Sequence, residues 1–262
     1  MQAELLLFDI GNTSVKVGLA DASRVLASYV LPTDTEQTSD SLGLSLLGLL
    51  SHAGVSPGGI TRCLVSSVVP PLNAAVRASV ARYVGCPVAF VPGDVPVPLE
   101  NRYSRPGEVG ADRLVGAYAA RRLRPEPPSF IVVDFGTAVT FDCVEGDAYL
   151  GGLIFPGPRT ALSALARQTA QLPRVDLDVD AAEPLIARCT GTSIQHGLYF
   201  GFAGMVESLC VRLARQLPGD TAIYATGGFA RDMARAVTVF TEVFPSLPLE
   251  GLRRLHCERA GQ

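Results

Sequence analysis

The sequence predicts an α/β protein built as two related halves, and three observations predict it. The stretch LLLFDIGNTSVKVGLA at residues 5–20 sets an Asp at the end of an apolar run, follows it with Gly-Asn-Thr, and then alternates apolar with polar. FIVVDFGTAVTFDCV at residues 130–144 repeats that plan with Asp134, Gly136 and Thr137. Between and after the two copies, short strand-like runs trade places with stretches of helical period. The chain has 262 residues, 48 % of them hydrophobic and 18 % charged. A chain of that length buries roughly 70 to 75 % of its unfolded surface, so a sizeable core is available.

In order, Leu5 to Asp9 reads as a strand, Val15, Val17 and Leu19 alternate as a second, and Val25 to Leu31 supplies a third. Leu42, Leu46, Leu49 and Leu50 recur at helical spacing until Gly54 stops them. RCLVSSVV is the next strand, Pro70-Pro71 opens a helix through about Val84, and PVAFVPG closes this half. Residues 92–107 hold four prolines and little period, so they read as a loop, followed by a helix from about Glu108 to Leu123. In the second half, GGLIFPG at 151–157 reads as a Gly/Pro-rich turn. Thr192 with Gln195 matches a capping box, and Ile194, Leu198, Phe202, Met205, Leu209 and Leu213 keep one face of a long helix apolar, for the core or a subunit interface. TAIYATGGFARDMARAV ends the pattern as strand, Gly-Gly turn and helix.

Several function classes fall away. A net charge of −3 gives no broad positive field, and the pairs Arg121-Arg122 and Arg253-Arg254 carry no interleaved aromatics, so nucleic acid is not an expected partner. No signal-peptide pattern opens the sequence, and no unbroken apolar run reaches the about 18 residues of a membrane span, so a cytoplasmic protein is expected. Six cysteines without a C-x-x-C pair write neither a zinc site nor a disulfide framework. His52, His196 and His256 lie far apart without ligand-like spacing.

The doubled motif carries chemistry. An Asp closing a buried strand is costly unless a cation or several donors hold its charge, and a metal ion meets that need. Gly11 and Gly136 let the backbone turn and approach a ligand, while Asn12, Thr13 and Thr137 offer polar groups to phosphate oxygens. One such copy reads equally as a plain hairpin turn. A matched pair, facing each other, would clamp one polyphosphate.

The arrangement resembles the superfamily of sugar kinases and actin-like ATPases, whose two ribonuclease-H-like domains hold a nucleotide in the cleft between them. That likeness places one domain at residues 1–118 and the other at 119–262. EVGADRLVGA at 108–117 narrows it: GADR opening a helix, between DIGNT and DFGTA, looks like type III pantothenate kinases. GGLIFPG, CTGTSIQHGLYFG, ATGG and LEGL at 249–252 follow in that family's order. The resemblance implies ATP-dependent phosphorylation of pantothenate to 4'-phosphopantothenate, the first step of coenzyme A biosynthesis.

Phosphoryl transfer needs positioning, charge neutralisation and a base for the attacking hydroxyl. Asp112 is the candidate base: it falls in the first turn of an expected helix, where the dipole favours negative charge, and matches the Asp of GADR. By resemblance, Gly110, Ala111, Asp112 and Arg113 contact substrate, as do Tyr103 and Thr190, the last reaching the partner's pocket in a homodimer. Tyr103 also fits a half-buried packing residue, and Thr190 a turn residue. The resemblance further implies that Asp9 to Lys16 form the first phosphate segment, with Asp9 on Mg²⁺ and Lys16 on phosphate. It implies Asp134 on a monovalent cation, K⁺ or NH₄⁺, with Thr137 on ATP. Gly227 and Gly228 suit the approach to adenosine, or a plain strand-to-helix turn. Arg105-Pro106 departs from the Asn-Pro common in the family, and Asp142 has no assigned role. The rival readings are a phosphohydrolase of the same superfamily and a catalytically inactive nucleotide-binding regulator.

Overall fold

The computed structural model describes residues 2–169, 172–179 and 185–260. The chain forms two compact units. One comprises Met1–Leu99, Ser104–Leu123 and Leu247–Gln262, the other Glu100–Tyr103 and Arg124–Ser246. A division at 118/119 expects the end of the chain in the second unit. The last helix instead packs on the first, because Leu249, Leu252 and Leu255 are buried there with Val115 and Tyr118.

The first unit contains strands β1 (Leu5–Ile10), β2 (Ser14–Ala20) and β3 (Val25–Pro32), helix α1 (Ser39–His52), β4 (Arg62–Ser67), α2 (Pro70–Tyr83) and β5 (Val88–Val91). The second contributes the two-residue strand β6 (Glu100–Asn101) before the first resumes with α3 (Ala111–Leu123). The second unit then holds β7 (Ser129–Phe135), β8 (Ala138–Glu145), β9 (Ala148–Pro156), α4 (Pro158–Gln168), α5 (Thr190–Ala214), β10 (Thr221–Gly227), α6 (Ala230–Met233) and β11 (Glu242–Val243). Helix α7 (Leu247–Ala260) returns to the first.

The first sheet runs β3-β2-β1-β4-β5 and the second β11-β10-β7-β8-β9-β6. In each, the strand bearing Asp-x-Gly pairs antiparallel with its successor and parallel with a later strand. Apart from β6, the second sheet therefore repeats the order of the first. The first sheet is covered on both faces. Phe8, Val17 and Val65 pack with Leu46 and Val76 of α1 and α2, while Leu5, Leu7 and Leu64 meet Val115, Tyr118, Leu249 and Leu252 of α3 and α7. Each such side chain, taken from water, contributes about 1.5 to 3 kcal/mol.

Several local expectations are corrected. Residues 92–107 are not all loop, since Glu100 and Asn101 pair with Ala148 and Tyr149 on the sheet edge, and the next helix starts at Ala111, after a short 3₁₀ turn at Pro106–Glu108. GGLIFPG is strand: pairing with β8 carries β9 through Gly151 and Gly152 to Pro156, and the turn falls at Gly157, which caps α4. The capping box at Thr192 is absent. Helix α5 starts two residues earlier with Cys189 at its cap, and the Gln195 amide donates to the carbonyls of Asp176, at 2.8 Å, and Asp178. The helix after Gly227-Gly228 is only four residues long.

The face of α5 that turns inward is also shifted from the expected one. Tyr199, Phe202, Ala203, Val206 and Cys210 are buried against β7 and β8, while Leu198, Met205, Leu209 and Leu213 are only partly covered. By length and composition alone this helix is apolar enough to cross a membrane, although no unbroken apolar run predicts that. Its buried stripe belongs to the second core.

Candidate functional site

In the first unit, Asp9 is the last residue but one of β1 and is buried, 6 % exposed. Its register partner on β2 is Lys16, whose Nζ lies 3.3 Å from Asp9 Oδ2. A carboxylate taken from water needs such a counter-charge. The turn beyond it is tied down: Gly11 N–H donates to Ser14 O at 3.0 Å, Thr33 Oγ1 donates to Gly11 O at 2.6 Å, and Thr33 N–H donates to Thr13 O at 3.1 Å. Asn12 and Thr13 stand exposed at the tip. Lys16 was expected on phosphate, and in this structure its ammonium lies on Asp9.

The GADR turn is built around its aspartate. Gly110 O accepts from Leu114 N–H at 3.3 Å, opening α3, and Asp112 Oδ1 accepts from Arg113 N–H at 2.8 Å. A β-carbon on residue 110 would stand 2.5 Å from Asp112 Oδ1 and 3.2 Å from Val68 Cγ1, so a larger residue there would displace that carboxylate. Val68 N–H also donates to Ile10 O at 3.0 Å. The end of β4 thus joins the Asp9 turn to the Gly110–Arg113 turn, both at the carboxyl ends of parallel strands, where α/β sheets present their ligands.

In the second unit Asp134 occupies the matching place on β7 and is half-buried. Its register partners are Thr140 on β8 and Thr226 on β10. Gly227 adopts φ +94°, and a β-carbon there would collide with Asp134 Oδ1 and the Phe135 backbone, so Asp134, Phe135 and Gly227 form one cradle that a side chain would fill. Thr137 is exposed, and its carbonyl accepts from Gly157 N–H at 2.9 Å and Thr160 Oγ1 at 2.6 Å. Gly228 is exposed, with nothing within 4 Å of where its β-carbon would sit.

The remaining expected residues stand elsewhere on the second unit. Tyr103 follows β6, its N–H donates to Asn101 Oδ1 at 3.1 Å, and its ring lies 3.0 Å from the position a Gly151 β-carbon would take. Thr190 is exposed as the first residue of α5. Beside it, the Cys189 thiol is held below its ordinary range by hydrogen bonds from the Thr192 hydroxyl and from backbone N–H groups of Thr192 and Gly191. Asp142, unassigned from sequence, is a buried node that accepts from Tyr149 Oη at 2.7 Å and Thr140 Oγ1 at 3.1 Å. Sequence reasoning missed Ser66 and Thr226. The signal for both was register, which appears only once the strands are paired.

Among the described residues no cluster of three His, Cys, Asp or Glu could hold a metal. Asp9 and Asp134 each present a carboxylate by a glycine turn, which fits a hard cation that takes its other oxygen ligands from a polyphosphate and water.

A family model described as type III pantothenate kinase matches residues 5–212. A type III pantothenate kinase of Desulfovibrio desulfuricans is 65 % identical over 258 residues, covering 98 % of each chain. One from Nitratidesulfovibrio vulgaris is 56 % identical and covers 99 % of each. Among solved structures, an inorganic polyphosphate/ATP-glucomannokinase from Arthrobacter superposes with a TM-score of 0.52 at 14 % identity, over 99 % of both chains, which shows a shared fold of the sugar kinase and actin-like ATPase kind. The GADR turn, the two Asp-x-Gly hairpins and identities above half along the whole chain lead to one conclusion: this protein belongs to the type III pantothenate kinase family.

Proposed function

We infer that the chain transfers the γ-phosphoryl group of ATP to the terminal hydroxyl of pantothenate, yielding 4'-phosphopantothenate and ADP. Family membership along the whole chain is the observation that carries this reading. In the reaction the hydroxyl oxygen bonds to the γ-phosphorus, the bond from that phosphorus to the β–γ bridging oxygen breaks, and the hydroxyl proton passes to Asp112. What supports Asp112 is the turn that keeps room for its carboxylate through Gly110. Arg113, a planar guanidinium at the same turn, suits the substrate carboxylate.

Asn12, Thr13 and Thr137 are assigned to phosphate, Asp9 to Mg²⁺, Asp134 to K⁺ or NH₄⁺, and Gly227 with Gly228 to the adenosine side. The cations, when bound, neutralise charge on the phosphates. Tyr103 and Thr190 are assigned to substrate, with Thr190 serving the pocket of a second subunit in a homodimer. The half-covered Leu198, Met205 and Leu209 of α5 support that assembly. Four buried free thiols, at Cys63, Cys86, Cys143 and Cys210, suit the reducing cytoplasm.

ADP release measured with and without pantothenate, at fixed Mg²⁺ and in K⁺, tests the activity. Release that requires pantothenate is the expected outcome. Equal release without it would point to the phosphohydrolase, and none under either condition to an inactive nucleotide-binding regulator.

A further inference from the structure

Asp9 does not lie alone on its face of the first sheet. The register sets Lys16 of β2 on one side and Ser66 of β4 on the other, and paired residues of neighbouring strands point the same way. Burial agrees, because Leu64, two residues before Ser66, and Val91, its partner on β5, belong to the cluster with Leu5 and Leu7 of Asp9's own strand. Ser66 is wholly buried, at 0 % exposure, and its Oγ has no hydrogen-bond partner among the described residues. A buried unsatisfied hydroxyl destabilises a fold, and alanine would fill the same space without that cost. The second unit repeats the placement, with buried Thr226 beside Asp134 on the matching parallel strand. Packing alone does not explain the Ser66 hydroxyl.

We propose that Ser66 is a positioning residue for Asp9, whose hydroxyl donates to the Asp9 carboxylate when bound phosphate draws Lys16 away. In this structure the Lys16 ammonium lies 3.3 Å from the Asp9 carboxylate. An ammonium attracted by phosphate oxygens leaves a buried carboxylate with one donor fewer, and Ser66 stands in register to replace it. The hydroxyl would then hold the Asp9 carboxylate in place for a cation that it would help to bind. The inference rests on the kinase reading, since it needs a polyphosphate to compete for Lys16.

The test is Ser66→Ala against wild type, with two readouts. Thermal unfolding of the nucleotide-free protein reports on structure, and ATP binding by calorimetry across a magnesium series reports on Asp9. The variant should unfold no earlier than wild type, should bind ATP without magnesium as wild type does, and should need about tenfold more Mg²⁺ for half-maximal ATP binding. A lower unfolding temperature, an ATP affinity reduced equally with and without magnesium, or a magnesium requirement within about twofold of wild type would overturn the assignment. A wild-type protein whose ATP binding ignores magnesium would overturn the kinase reading, and this inference with it.

Discussion

The two Asp-x-Gly hairpins share a topology and differ in the residues set beside the aspartate. In the first, four residues separate the paired Ile10 and Val15, and Asp9 has Lys16 across from it. In the second, only three separate Phe135 from Val139, and Asp134 has threonines, Thr140 and Thr226, on both flanking strands. One unit carries its own counter-charge beside the aspartate. The other sets threonines at the matching register positions, and Gly227 leaves its carboxylate the space that a β-carbon would take. The comparison teaches that a repeated motif need not repeat its neighbours: Lys16 lies across from the first aspartate, while threonines lie in register on both sides of the second.

The units also differ in what is attached. Only the first carries the GADR turn, so the largest effect should come from Asp112→Asn. Removal of a general base costs about 10² to 10⁴-fold in turnover. ATP binding should stay near wild type, because the residue is no phosphate contact. Turnover above about half of wild type would take the base out of the first unit and remove the sharpest asymmetry between the halves.

Gly227→Ala should break the second cradle specifically. Its φ of +94° and the nearness of Asp134 make a β-carbon costly, by more than about 1 kcal/mol of stability, and ATP affinity should fall with it. Calorimetry against Gly228→Ala, which meets open space, separates the two glycines. Similar effects at both would show that Gly227 has no special role in holding Asp134.

Helix α7 is tied to the first unit by its buried leucines and by Arg253, which donates to Ala22 O and is held in place by Glu250 of the same helix, a partner of Arg254 as well. Burial pushes the Glu250 carboxyl up, but the two guanidiniums together hold it below its ordinary 4.5. A depressed carboxylate contributes stability that is present above its unfolded value and is lost as pH falls through the folded one. Glu250→Gln should therefore cost about 2 to 3 kcal/mol at neutral pH, measured by urea unfolding, because it leaves a buried arginine short of its partner. The gap from wild type should close below about pH 4.5. A gap that persists at low pH would mean that shape, not charge, holds α7 in place.

The smallest effect concerns thiols. Cys189 is exposed with its thiol held below its ordinary value by hydrogen bonds, whereas Cys63 and Cys210 are buried and pushed well up by desolvation. Limited alkylation, read by mass spectrometry, should mark Cys189 first. Early labelling of Cys210 instead would show that α5 does not stay packed on the second core.

Much of this was legible in the sequence. Both hairpins follow from an apolar run ended by Asp-x-Gly, and the GADR turn from a glycine before a helix-start aspartate, because these are local signals. What escaped was decided by pairing across distance. Gly151-Gly152 reads as a turn until β8 is laid beside it, and LEGL gives no sign that α7 returns to cover β1 and β2. Ser66 is one polar letter in a strand until the register sets it beside Asp9. The Lys16–Asp9 pair is likewise invisible in the sequence, because the two residues stand seven apart across a turn.

The most direct test of the contrast between the halves is turnover against K⁺ concentration, with Na⁺ holding ionic strength constant, for wild type and Asp134→Asn. The account predicts that wild-type turnover rises with K⁺ and stays low in Na⁺ alone, and that Asp134→Asn is slow and no longer responds to K⁺. Equal wild-type rates in both salts, or a K⁺ response that survives in Asp134→Asn, would contradict it.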